Sequence, residues 1–434
     1  MLLRPHRHSD IHRTYADPVM SAQAAPPPPL PELPPEIWLK IFRIATFIPR
    51  ETDTAATTEE PWLFCTYNYY QTRALKAVLP LRRTIVQVSR RFYQIGAEVL
   101  YTHINLDSPP NPDQRLLLFL NLLVLRPELG RFVKRLFLRR SVEDEEMNYQ
   151  IISRCPNLVI FSSESPRYYI NEEPWWSRGL PKTIRNLDIT VSDIPTNHIL
   201  ELLAMMPQLE ILYLSGVQHD TISHAPVHLS ALRILGIYLD ETIHDTNPIL
   251  PILSAMQLPR LIALAGNKDL QFSLPLDVWQ RLEYIKTEIE VSSGLRPDYM
   301  HSLRDLYLTV DLKSVGPSLG SFPFHQLECL TLQVLSTRLF RWEEVVEVLV
   351  VLPLDVTAMP KLKLFQLEWG HYGIYHVYHK SLYRLEDRKQ FIQYFEGLVT
   401  RFEQRGVIFA ETHRRDICPG FQPIRDVLAA CKLL

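Results

Sequence analysis

Hydrophobic residues recur along most of the chain in one spacing, apolar-x-x-apolar-x-apolar. The copies return on average every ~25 residues. Full copies start at Val133, Ile184, Leu209, Leu232, Leu303, Leu327 and Leu362, and degenerate copies start at Leu158, Leu261 and Leu282. The last two apolar positions of a copy lie two residues apart, so they share one face of a short strand. Several copies follow a proline, which ends a preceding helix before the strand begins.

This spacing resembles that of leucine-rich repeats, whose units measure about 20–29 residues. One unit cannot bury its own apolar edge, so neighbouring units must stack into a curved parallel sheet with helices outside. The pattern therefore predicts an α/β fold with an irregular leucine-rich-repeat-like solenoid over 112–434 and a C-terminal capping helix over 385–402. The alternative is that scattered leucines imitate a repeat, and the copies do lack the asparagine that usually follows the strand.

A second hydrophobic pattern lies near the N-terminus, after the four prolines at 26–29. Two prolines and a glutamate at 34–36 suit the first turn of a helix and the positive end of its dipole. Ile37, Ile41 and Ile44 then fall at helical spacing. So short a helix cannot bury this stripe alone and needs a partner. An ordinary proline-capped amphipathic helix of a globular domain is the simpler interpretation.

Residues 33–42 read Leu-Pro-Pro-Glu-Ile-Trp-Leu-Lys-Ile-Phe. They resemble the opening of the F-box, the adaptor-binding module of substrate receptors in Skp–cullin–F-box ubiquitin ligases. Residues 81–92 resemble the closing segment of that module. The resemblance implies an F-box-like helical domain at 31–105 that binds a Skp-type adaptor and, through it, a cullin. The adaptor-contacting residues that it implies are Leu33, Pro34, Ile37, Ile41, Phe42, Val88 and Phe92.

The two halves of this resemblance lie farther apart than in most F-boxes, because an insert at 47–80 separates them. The threonine-rich first part of the insert is predicted to form a flexible loop. Its aromatic second part, which includes Trp62 and Tyr67, is predicted to pack back on the domain. Residues 1–30 are interpreted as a disordered, proline-rich leader.

Composition narrows the possible function classes. The formal charge is −2 at neutral pH, whereas a surface that coats nucleic acid needs a basic stripe. The five cysteines are scattered and never spaced as C-x-x-C, so neither a disulfide framework nor a zinc site is predicted. No apolar run is long enough to span a bilayer, and the N-terminus lacks the apolar core of a secretory signal. We therefore expect a cytoplasmic or nuclear protein that binds neither nucleic acid nor membrane.

Candidate catalytic chemistry is sparse in the sequence. Glycine is scarce, at 14 of 434 residues, and the phosphate loops and nucleophile elbows that depend on glycine are not found. His371, His376 and His379 come nearest to a metal site, but no carboxylate or cysteine follows at a fitting distance. We expect no cofactor, no metal and no catalytic residue. An unrecognised hydrolase or transferase is an alternative that no motif supports.

The F-box resemblance implies a substrate receptor, which holds a protein near a charged ubiquitin-conjugating enzyme and so raises the effective concentration of its lysines. The alternative is a repeat-protein interaction scaffold whose F-box-like helices only cap the solenoid. Alternation along the strands predicts that four tyrosines on the concave sheet face are exposed and bind the substrate. They are Tyr213, Tyr238, Tyr284 and Tyr307, with Asp188, Lys286, Asp305 and Glu368 among them. Ordinary β-propensity is the alternative explanation for these tyrosines.

Overall fold

The computed structural model describes residues 33–47, 64–106, 112–138, 145–163, 179–191, 194–217, 225–239, 251–266, 274–289, 300–311, 324–335, 359–368, 385–412 and 421–432. The leader at 1–30 and nearly all of the threonine-rich loop lie outside the described residues, as do His371, His376 and His379. What the sequence indicates for these segments therefore stays a prediction.

Three helices form the N-terminal part of the fold: α1 (Pro35–Ala45), α2 (Phe64–Gln87) and α3 (Arg90–Tyr101). The side chain of Ser89 caps α3, because its hydroxyl accepts a hydrogen bond from the Phe92 amide at 3.1 Å. Both α1 and α2 pack against α3. Helix α3, which contacts both of the others, therefore holds the two halves of the sequence resemblance together.

Helix α2 passes through the segment that the sequence assigned to the insert. The predicted boundary at Pro80 falls inside this 24-residue helix. Proline lacks the amide that would bond to the preceding turn, but the residues before it, such as Ala74 and Lys76, favour helix. The Thr84 hydroxyl donates a hydrogen bond to the Pro80 carbonyl at 3.0 Å. From Phe64 onward the insert is therefore helical and continuous with the closing segment.

Most described strands belong to one 13-stranded sheet, whose strand order follows the chain. Its pairings are parallel, apart from the antiparallel last pair. The strands are β1 (His103–Asn105), β2 (Arg135–Leu138), β3 (Ile160–Ser163), β4 (Asn186–Thr190), β5 (Ile211–Val217), β7 (Ile234–Leu239), β9 (Ala263–Gly266), β10 (Tyr284–Ile289), β11 (Asp305–Asp311), β12 (Cys329–Leu335), β13 (Leu364–Glu368), β14 (Ile408–Thr412) and β15 (Phe421–Pro423). Strands β6 (Val227–His228) and β8 (Met256–Gln257) pair separately. The predicted α/β class, with a large parallel sheet, is confirmed.

Helices lie in the connections between strands and at the C-terminal end. They are α4 (Pro112–Leu125), a 3₁₀ helix (Pro127–Phe132), α5 (Glu145–Ser153), α6 (Thr196–Ala204), α7 (Pro251–Ser254), α8 (Leu276–Arg281), α9 (Leu385–Glu403) and α10 (Ile424–Lys432). Apolar residues of α6 and α8, such as Leu203 and Val278, share one buried cluster with the strand leucines. The helices therefore cover one face of the sheet, as the pattern requires.

The first position of every copy of the repeat is buried, with at most 5% of its surface exposed. In most copies the amide of this residue donates to the carbonyl three residues earlier, as from Leu209 to Met206 at 3.1 Å. The two strand positions, such as Leu212 and Leu214, face the same core. Burying one leucine stabilises a fold by about 1.5–3 kcal/mol. The spacing therefore places three core contacts and one tight turn in each of the seven full copies.

The two ends of the sheet differ from the middle. Strand β1 follows α3 directly and pairs with β2, so the sheet starts before the predicted boundary at 112. At the other end, the observed helix α9 covers the range 385–402 in which a helix was expected. The Phe402 ring of α9 stacks on the ring of Phe365 in β13, with a centroid distance of 4.9 Å and 4° between the ring planes. Helix α9 therefore covers the C-terminal end of the core.

Candidate protein-binding surfaces

An exposed apolar stripe runs along α1. Its members Leu33, Ile37 and Ile41 expose 37%, 43% and 40% of their surface, and Ile44 is more exposed still. We call these four residues the α1 surface. Pro34, at the start of the helix, and Val88, just after α2, are exposed as well. A surface helix normally turns such a stripe toward a core, so an exposed stripe indicates a binding surface.

Phe42 does not belong to this exposed stripe, and its expected place in the adaptor contact is corrected, whereas the contact expected of Phe92 stays a prediction. Phe42 is only 3% exposed. Its ring packs against Trp38 at 5.8 Å and against Phe92 at 5.1 Å between centroids. Phe92 on α3 is half-buried and lies 4.8 Å from Trp38. The three rings form the contact between α1 and α3, because a helix this short needs its largest side chains for its own burial.

Arginines of α2 and α3 hold both ends of α1. Arg91 donates to the carbonyl of Leu33 at 3.1 Å, and the buried Arg82 donates to the carbonyl of Thr46 at 3.1 Å. Arg43 also pairs with Glu98 of α3. The Thr46 carbonyl lies at the C-terminal end of α1, where carbonyls lack partners within the helix and a cation is favourable. These bonds fix the orientation of α1, so that the α1 surface faces solvent.

The four predicted tyrosines lie on one face of the sheet, opposite the main core. Tyr213 alternates with the core residues Leu212 and Leu214, and Tyr307 alternates in the same way on β11. In the parallel register, Tyr213 and Lys286 lie in one row across the sheet, separated by β7 and β9, and Tyr307 is the next residue in that row. We call this side, with Tyr213, Tyr238, Tyr284 and Tyr307, the tyrosine face. The described residues clustered around it all come from strands and their edges.

The tyrosines are less exposed than the alternation predicts. Tyr213 is only 5% exposed, and Tyr238, Tyr284 and Tyr307 are half-buried. The ring of Tyr213 lies across Gly236 of the neighbouring strand, where an added Cβ would sit 2.3 Å from the ring. It also stacks on Tyr238, with 6.3 Å between centroids. The expected exposure is therefore wrong for Tyr213, because a missing side chain next to it lets the ring lie flat.

A pocket of about 200 Å³ opens among these side chains. Its floor includes Ala263 and Ala265, and its lining includes the rings of Tyr213, Tyr284 and Tyr307. Lys286 and Asp305 also line it, whereas Tyr238 and Asp188 do not. Sequence reasoning missed the pocket, although small residues at outward positions of neighbouring strands are a readable signal for it.

Polar side chains continue across the tyrosine face toward β13. The Tyr307 hydroxyl donates to Glu368, and the Gln333 amide donates to the same carboxylate at 3.2 Å. The Thr309 hydroxyl in turn donates to Gln333 at 3.1 Å. Glu368 is buried, so its expected place among the exposed residues is corrected. A carboxylate with several hydrogen bonds tolerates burial, and here it fixes the Tyr307 ring. Asp188, on β4, accepts a hydrogen bond from Ser162 at 2.8 Å.

Asp305 is the electrostatically unusual residue of the pocket. Burial, followed by the nearby Glu328, raises the pKa of the Asp305 carboxyl to about 6, against the lowering influence of Arg304. Glu283 raises this pKa as well. Glu328 and Glu283 have cationic partners, Lys363 at 2.6 Å and Arg304 at 3.8 Å. Within the described part of the chain Asp305 forms no ion pair with a cationic side chain. Arg304 lowers the pKa of Asp305 without bonding to it.

We expect Asp305→Asn to stabilise the protein at neutral pH but not in acid. A folded-state pKa above the ordinary value means that ionising Asp305 costs stability as the pH rises from about 4 to about 6. The asparagine variant should therefore exceed the parent by on the order of 1–2 kcal/mol at pH 7, with no difference near pH 3.5. Urea unfolding at several pH values measures this.

The matched control is Asp277→Asn, because Asp277 is exposed and bonds to Arg281 at 2.9 Å on α8. That variant should show no gain that grows with pH. Equal stability of Asp305→Asn and the parent across the whole range would contradict the assigned pKa shift.

The described residues offer little for catalysis. Burial raises the pKa of the thiols of Cys155 and Cys329 to about 12, so neither is a thiolate at neutral pH. Among the described residues, no group of three or more histidine, cysteine, aspartate or glutamate side chains is arranged to hold a metal ion. Nor does this part of the chain contain a helix long and apolar enough to cross a membrane.

Comparison with known proteins gives little further information. No family model matches the chain, and no curated protein matches it either. A solved structure that is similar is the functional domain of InlJ from Listeria monocytogenes, described as including a cysteine ladder. The identity is 15%, the match covers 57% of this chain and 52% of that one, and the TM-score is 0.28. This chain thus matches about half the length of that structure.

Proposed function

We propose that this protein is a substrate-recognition subunit of a Skp–cullin–F-box type ubiquitin ligase. The observation that carries the proposal is the α1 surface, an apolar stripe turned to solvent on a helix whose other face is fixed to α3. The exposed residues Leu33, Pro34, Ile37 and Ile41 are those in which the sequence resembles the F-box opening. A few residues that become fully buried at the centre of an interface carry most of its binding energy.

The second half of the proposal concerns the sheet, which we interpret as an irregular leucine-rich-repeat-like solenoid. Strands that follow chain order, with helices over one face, agree with this interpretation. A receptor built in this way has no catalytic residues. It holds its substrate on the tyrosine face and so raises the local concentration of substrate lysines near the conjugating enzyme.

A repeat-protein scaffold outside ubiquitination is the second candidate function. The observation that favours it is the direct continuation of α3 into β1, because β1 is the first strand of the sheet. Helices joined in this way serve as an end cap for a repeat array. A cap, however, needs no exposed apolar stripe, and the α1 surface faces away from the ring cluster that joins α1 to α3.

We expect the intact chain to co-purify with a Skp-type adaptor when the two are expressed together. Leu33→Ala combined with Pro34→Ala should weaken adaptor binding at least about tenfold, because it removes exposed anchors while leaving the ring cluster in place. Affinity capture with calorimetric titration measures this. No binding by the parent chain would leave the scaffold function, and unchanged binding by the double variant would contradict the assigned surface.

A further inference from the structure

The pocket on the tyrosine face is built from a contrast in side-chain size between neighbouring strands. Gly236, Ala263 and Ala265 follow one another at outward positions of β7 and β9. The strands on either side carry Tyr213 and Tyr284 at their outward positions. A sheet face with three such small side chains beside tyrosines has a depression in it. Ala263 and Ala265 line the resulting pocket, whereas the Tyr213 ring lies over Gly236.

The volume of this depression suits one large apolar side chain. It measures about 200 Å³, while an engineered apolar cavity of about 150 Å³ is known to take up benzene. Aromatic rings line the pocket, and aromatic pairs gain from offset or edge-to-face contact beyond the area that they bury. An aromatic side chain therefore fills the pocket better than an aliphatic one of equal volume.

The polar residues of the pocket suit a peptide group rather than a charged ligand. Lys286 holds its ammonium group 4.4 Å from the centroid of the Tyr307 ring, and Asp305 is its diagonal neighbour on β11. Within the described residues neither side chain forms an ion pair. Lys286 attracts an anion that Asp305 repels, and Asp305 attracts a cation that Lys286 repels, so the two charges offset each other for a small ion. A peptide group is neutral and offers Lys286 a carbonyl and Asp305 an amide.

We propose that this pocket is the anchor site for one aromatic side chain in a segment of a protein partner. Lys286 donates to a main-chain carbonyl of that segment, and Asp305 accepts from a main-chain amide. The inference deepens the substrate-binding half of the proposed function and rests on it only for naming the partner a substrate. It does not involve the adaptor, so its test is independent of the α1 surface.

The test uses three probes and the intact 434-residue chain. N-acetyl-phenylalanine methylamide carries both the ring and peptide groups, N-acetyl-alanine methylamide lacks the ring, and toluene lacks the peptide groups. Saturation-transfer difference NMR measures the binding of each. We expect the phenylalanine probe to bind with a Kd on the order of millimolar, and each of the others at least about tenfold more weakly.

Two variants locate the binding. Ala265→Leu fills the pocket from its floor and should abolish binding of the phenylalanine probe, whereas Ile408→Phe, at an exposed position of the same face outside the pocket, should not change it. If Ala265→Leu fails to fold by circular dichroism, Lys286→Met decides. It keeps the stem of a half-buried side chain and removes only the donor, so it should weaken binding about fivefold or more.

Each remaining outcome overturns the proposal. Absence of binding, or binding that survives both Ala265→Leu and Lys286→Met, means that the pocket is not an anchor site. Toluene binding as tightly as the phenylalanine probe means that the pocket takes a small apolar molecule instead of a peptide. Equal binding of the alanine probe means that the ring is not recognised. A result of this kind leaves adaptor binding, and with it the other half of the proposed function, untouched.

Discussion

Changing Ile41 to glutamate should abolish adaptor binding in a folded protein, while changing its neighbour Phe42 to alanine should abolish it by loosening the fold. Ile41 is 40% exposed and Phe42 only 3%. A charge at Ile41 is solvated in the free protein but must be buried on binding, so we expect an affinity loss of roughly 100-fold or more. Phe42→Ala instead leaves a cavity between Trp38 and Phe92, which costs about 3–5 kcal/mol of stability.

Titration calorimetry against the adaptor and urea unfolding together separate these two effects. The matched control is Leu276→Glu, because Leu276 on α8 is 49% exposed and lies far along the chain from the α1 surface. It should change neither measurement. Full adaptor affinity in Ile41→Glu would exclude the α1 surface as the docking site. A Phe42→Ala protein as stable as its parent would contradict the ring cluster as the contact that holds α1.

Gly130→Ala should destabilise the protein more than any other glycine-to-alanine change in the described chain. Gly130 lies in the 3₁₀ helix Pro127–Phe132, and an added Cβ would sit 1.9 Å from the carbonyl oxygen of Arg154 at the end of α5. This carbonyl belongs to the backbone, so it cannot rotate away from the added Cβ as a side chain could. We expect a loss of about 3 kcal/mol or more, because relief requires the helix to shift away from α5.

The matched control for this change is Gly397→Ala in α9, where an added Cβ meets nothing within 4 Å. Alanine favours helix over glycine by up to about 1 kcal/mol, so this variant should be slightly more stable than the parent. Thermal unfolding of both proteins measures the contrast. A loss at Gly130 no greater than at Gly397 would mean that the 3₁₀ helix does not approach α5 as closely as described.

The sequence by itself determined the framework of the sheet. The repeat spacing predicted the parallel α/β class, and every first position of the ten copies is buried. This part was predictable because the hydrophobic effect depends on periodicity, which is a local property. The helix expected over 385–402 was readable for the same reason, since Phe391, Phe395 and Phe402 recur at helical spacing.

Tertiary structure decided which side of each element is used. Periodicity places Ile41 and Phe42 in one apolar helix, but only the position of α3 turns Phe42 inward and leaves Ile41 exposed. Strand alternation places Tyr213 away from the main core, but only Gly236 on the neighbouring strand lets its ring lie flat. The pocket on the tyrosine face and the buried Glu368 likewise depend on register between strands that are about 20 or more residues apart. Such contacts are absent from any local pattern, because the residues that make them meet only when the strands pair.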